Sequence, residues 1–169
     1  MRNAHWAIRT EVLLTLVLAY GAASLFHHVH NAVYLNEYPN MPVWLSPARV
    51  YIAWLVVTGI GLAGYVLTIW RHRLAGLLVL GLYGALGLAG LDHYAVALPS
   101  AHTFTMNLTI LFEVTTGILL MIAVAIFILS LPRKDHRAEP TDAELPTRVA
   151  VSHVTPRTLT RVRAARSHR

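Results

Sequence analysis

Cysteine is absent from the 169 residues. Disulfides, thiolate metal sites and cysteine nucleophiles are therefore excluded, and any metal site must draw on His, Asp, Glu, Asn, Tyr or Met. Charge is scarce as well. Only 13% of residues are Asp, Glu, Lys or Arg, against about 25% in soluble domains. With 56% hydrophobic residues and a mean hydropathy of +0.53, the deficit places the chain in the membrane class. Several motifs are also missing. There is no glycine-rich phosphate loop, no Gly-x-Ser-x-Gly elbow and no His-Glu-x-x-His. No arginine recurs at every third position as in a voltage sensor. The two halves carry polar residues at unrelated places, which argues against inverted repeats.

What the chain does have is four long apolar runs, expected as helices over about residues 11–30, 50–70, 74–92 and 108–131. Runs near 20 residues match a hydrocarbon core of about 30 Å at about 1.5 Å per residue. A lipid-exposed backbone has no water to bond, so each run reads as a helix. The expected fold is all-α: an integral membrane four-helix bundle over residues 1–132, followed by a disordered basic tail over 133–169. The first run, preceded by Arg2 and Arg9, has small residues at Ala22, Ala23 and Ser24. A cleaved signal peptide would look similar. The run continues into His27 and His30, and its removal would leave an odd number of spans, so a retained helix is the simpler reading.

The net charge of +6 is uneven. Up to Pro132 five arginines face four acids; beyond it nine basic residues face four acids. The high pI of about 10.2 is thus a property of the tail, and nucleic-acid binding is not indicated. Arg2 and Arg9, then Arg71 and Arg73, then Arg133, Lys134 and Arg137 fall on one side of four alternating helices. The loops between them on the other side hold Arg49 alone. By the positive-inside rule both termini are cytoplasmic. The tail, with Pro140, Pro146 and Pro156, reads as a charge signal for orientation or as a contact for anionic lipids. A bacterial plasma membrane is compatible with all of this.

Measured from the cytoplasmic ends of the helices, His27, His30, Asp92, His93 and Glu113 all lie roughly 24–28 Å up. This common depth, more than any one residue, marks a site. His27 and His30 share a helix face at i, i+3. Gly81, Ala85 and Ala89 form a small-residue stripe that leads to His93 and suggests a close helix contact. Gly117, four residues after Glu113, suggests another. His27, His30, His93 and Glu113 are therefore expected to converge. His28 is expected at the interface. His102 would stand roughly 16 Å above Glu113 on a straight helix, too far to share one ion with it, though adding either Asp92 or His102 to the layer could allow a second metal. The loop 31–49, with Glu37 and Tyr38, could cover the layer.

Three functions fit such a layer. The first is a transition-metal site for Fe, Cu or Zn, drawn from His27, His30, His93, Glu113, Asp92 and His102 and serving oxidoreductase-like chemistry; a haem held by His93 with His27 or His30 is a variant. The second is metal-free acid–base catalysis on a membrane-soluble lipid substrate, with Glu113 and His93 as the catalytic pair. The third is a non-catalytic accessory or transporter subunit, packed against a membrane-protein partner or a second copy of itself.

Overall fold

The computed structural model describes residues 2–131, with side chains from Thr10 onward. The tail readings lie outside the described residues. The described residues are all helical or loop, with no strand. Helix α1 runs Arg2–Val33, α2 Pro47–Ile69 and α3 Arg73–Leu86. A 3₁₀ segment, Gly87–Leu91, then joins α3 to the short α4, Asp92–Val96; α5 runs Phe104–Leu129. Four stretches are long and apolar enough to cross a membrane: Thr10–Val33, Pro47–Ile69, Arg73–Val96 and Phe104–Leu129.

The helix starts are local chemistry. Ser46 accepts a hydrogen bond from the Arg49 backbone N–H at 3.4 Å, with Pro47 in the first turn. Thr103 caps α5 by accepting from the Met106 N–H at 3.2 Å. Such side chains satisfy backbone donors that a helix start leaves free. The fourth span therefore begins at Phe104, four residues before the expected Leu108. The α2–α3 connection is tight. Arg71 adopts a φ of 77° there, a left-handed turn that reverses the chain in three residues.

Helix α1 packs on α2 and α5, and α3 packs on α2 and α5. Leu13, Tyr20, Leu77, Leu80, Tyr83, Leu120 and Val124 form one apolar core. A second, at the end of the molecule we call the polar end, joins Tyr38, Met106, Ile110 and Val114. Large apolar side chains such as Leu18, Phe26, Leu62, Leu108 and Ile126 face outward. Ser24, His27, His93 and Glu113 face inward. Apolar outside with polar inside suits a hydrocarbon solvent.

The close contacts use glycine, at positions other than the expected stripe. Gly81 and Ala85 are half-exposed and Ala89 is exposed. The buried line is Gly84, Gly87, Gly90 and His93. Its last steps come every third residue because the 3₁₀ segment has about three residues per turn. A Cβ on Gly117 would stand 2.6 Å from the Gly84 carbonyl oxygen, and one on Gly87 would stand 2.7 Å from the Tyr20 ring. At these two places α5 and α1 approach so closely that only glycine fits.

Candidate functional site

The polar end of α1 presents Ser24, His27, His28 and Asn31 at i, i+3, i+4 and i+7, one inward stripe. His27 is 3% exposed and Asn31 9%. His30 lies off this stripe. Its Nδ1 instead meets the Tyr38 hydroxyl at 2.9 Å, and its ring rests against Tyr34. The expected pairing of His27 with His30 is therefore corrected: sharing a face at i, i+3 did not make both inward, because the stripe centres between His27 and His28. His28, expected at the interface, belongs to the site.

Glu113 on α5 is 3% exposed and lies between these two rings. Its Oε2 is 3.7 Å from His27 Nε2 and its Oε1 is 3.8 Å from His28 Nδ1. Both distances exceed a direct hydrogen bond. His28 Nδ1–H donates to the Ser24 carbonyl at 2.8 Å, since a carbonyl can only accept. The Ser24 hydroxyl lies beside the same ring, Oγ 3.4 Å from His28 Nδ1.

His93, 8% exposed, projects from α4 against His27, with ring centroids 5.3 Å apart. The Asn31 Nδ2–H donates to His93 Nε2 at 3.2 Å; turning the amide over makes His93 donate instead. Asp92, one residue earlier, is exposed and faces away from the cluster. It is corrected out of the candidate ligand set, because the helix that turns His93 inward turns its neighbour outward.

His102 is corrected in the other direction. It precedes α5 on extended backbone, so the straight-helix distance does not apply. The segment folds back, leaving His102 7% exposed with its ring 6.1 Å from that of His93. His102 Nδ1–H donates to the Leu98 carbonyl at 3.0 Å. Tyr38 fills the space between, with ring centroids 5.0 Å from His93 and 6.2 Å from His102. It is the part of the 31–49 loop that covers the layer. Burial pushes the Tyr38 phenol up to about 12, so it stays a neutral donor. Asn40 ties the loop down by donating to the Val96 carbonyl at 2.8 Å.

Four polar atoms in this layer are buried without a partner: His27 Nδ1, Asn31 Oδ1, His93 Nδ1 and His102 Nε2. A cavity of about 260 Å³ lies against His27, His28, Asn31, His93 and Glu113. Among the described residues, no three His, Asp or Glu side chains stand close enough as placed to hold one metal ion. The residues missed in the sequence reading are Ser24, Asn31 and His28. Their i, i+3, i+4, i+7 spacing with His27 was the signal that could have found them.

Four apolar helices with an inward polar cluster define a multi-pass membrane protein. No family model matches the chain, and neither does a curated protein or a solved structure.

Proposed function

We propose that the chain binds a transition-metal ion at its polar end, with His27 and His93 as imidazole donors. One observation carries this. His93 and His102 are each buried with one nitrogen hydrogen-bonded and the other without a partner, and His27 is buried with Nε2 facing the Glu113 carboxylate at 3.7 Å and Nδ1 without a partner. Metal-binding histidines have this form, one ring nitrogen held by a carboxylate, carbonyl or similar group and the other on the ion. Buried polar atoms left without partners otherwise cost stability. The 5.3 Å between the His27 and His93 rings also suits the pair. Imidazoles bound at about 2.0–2.1 Å to one tetrahedral ion have centroids roughly 5 Å apart.

In this arrangement Glu113 orients His27, Asn31 orients His93 through its amide oxygen, and His102 stands behind Tyr38 as a donor within a side-chain rotation. Two imidazoles leave coordination positions open, which suits a site that meets a small substrate from the non-cytoplasmic side. The cavity volume favours a bare ion over a haem. Elemental analysis and an absorption spectrum of gently purified protein test the reading. Copper, iron or zinc is expected, lost together in His27→Ala and His93→Ala. Metal-free protein that also fails to take up any of the three overturns it.

A second reading is acid–base chemistry on a membrane-soluble substrate. It is favoured by the cavity itself, which brings Glu113 and His27 to one wall. That function would survive metal removal and vanish in Glu113→Gln.

A further inference from the structure

The polar cavity has a side opening. Ala53 of α2 and Ala89 of the 3₁₀ segment both line it, and both are exposed. Ala53 lies six residues after Pro47 and Ala89 seven before Val96, which puts them roughly 9–11 Å below the polar end of their spans. Spans of 23 and 24 residues exceed a hydrocarbon core of about 30 Å by only a few ångströms. These two residues therefore face acyl chains and not water.

The opening follows from how α2 is held. A Cβ on Gly61 would stand 2.6 Å from Tyr83 Cε1, and one on Gly64 3.0 Å from Leu80 Cγ, so this part of α2 lies hard against α3. Val50 is buried near the other end. Between them, from Tyr51 to Ile60, no residue of α2 is buried. The helix stands off the bundle at the level of the histidines. His28 also lines the cavity, and its side chain is 18% exposed. Its Nδ1–H is engaged by the Ser24 carbonyl, so in the neutral ring Nε2 is an acceptor. Among the described residues nothing bonds to that nitrogen. A polar group open to hydrocarbon has no water to satisfy it.

The occupant has to match both ends of this cavity. Its inner wall is polar, with His28 and Glu113, and its rim is apolar and set among acyl chains. A phospholipid keeps its headgroup at the water interface, above the opening. Amines and fatty acids carry charge at neutral pH and stay there too. An alkane has nothing to offer Nε2. A hydroxyl on a single chain meets both ends, because it is neutral and it donates. We infer that the opening admits a single-chain lipid alcohol from the surrounding leaflet. Its hydroxyl donates to His28 Nε2 beside the Glu113 carboxyl, and its chain passes out between Ala53 and Ala89. This rests on the polar cavity being the working site and names the class of molecule that reaches it.

The experiment uses full-length protein in lipid nanodiscs and the photoreactive alcohol 3-azioctanol, with the labelled residues located by mass spectrometry. Saturable labelling is expected at the cavity, competed by 1-dodecanol and not by dodecane. Ala53→Phe and Ala89→Phe, both at exposed positions, should close the opening and abolish the saturable part. His28→Phe keeps a ring but removes the acceptor, and should weaken the apparent affinity about fivefold, the worth of one hydrogen bond. Metal content is measured on the same samples and should not change in Ala89→Phe. Saturable labelling of protein that takes up no metal overturns the ion reading alone. Metal-bearing protein without saturable labelling overturns this inference alone. So does dodecane competing as well as dodecanol, or undiminished saturable labelling in both phenylalanine variants.

Discussion

Asn31 and His93 meet through Nδ2 and Nε2 at 3.2 Å, joining α1 to the far end of the third span. Among the described residues Asn31 is the one side chain that bonds His93, so it sets the plane of that ring. Losing such an orienting partner typically costs 10–100-fold in metal affinity. Asn31→Leu should therefore weaken metal retention by about that factor, while Asp92→Ala, at an exposed position, leaves it unchanged. Competition against a graded series of chelators measures both.

Glu113→Gln separates the two readings of the site. The amide keeps the shape and can still contact His27, so metal should be retained with an affinity reduced by no more than about tenfold. Under acid–base chemistry the same change removes the group that carries the proton. Metal content and substrate turnover on one preparation distinguish the two outcomes.

The Gly84–Gly117 contact should be intolerant of a methyl group. Gly117→Ala drives a Cβ into the Gly84 carbonyl, and such overpacking costs about 1–3 kcal/mol. Gly81→Ala meets only Val124 Cγ1, at 3.4 Å, and should be near neutral. Unfolding in mixed micelles, followed by far-ultraviolet circular dichroism, compares the pair.

Tyr38 gives a pH signature. Its folded-state pKa is raised by burial from 10.0 to about 12. The stabilisation it confers is complete below pH 10 and is lost as the pH climbs through about 12, because the unfolded chain releases the proton first. The phenolate absorbance of the parent minus that of Tyr38→Phe should rise near pH 12; a midpoint near 10 would mean the loop does not cover the layer.

Topology is tested by reporters. A fusion after Leu131 and one within the 34–46 loop should report opposite sides of the membrane, the former cytoplasmic. Signals from the same side would remove the depth argument that first grouped the histidines.

Much of this was readable from the chain. The four spans follow from hydrophobic length alone, and burial of His27, His93 and Glu113 follows from the cost of charge in lipid. Rotation about the helix axes was less readable. His30 and His28 exchange roles because positions two apart differ by about 200° on a helix, and only packing decides which is inward. His102 was placed on a straight helix that the chain does not build, since Thr103 caps α5 after it.

The 3₁₀ segment Gly87–Leu91 acts as a phase shifter. Five residues at three per turn rotate the chain by roughly 100° more than five at 3.6. That offset sets which residue of α4 faces inward, here His93. Relaxing the segment to α-helical pitch would turn the His93 imidazole away and bring Tyr94 to its azimuth without changing a single residue there. The identity of the group facing His27 is thus encoded in the winding of one short glycine-bearing segment that contributes no side chain to the cluster.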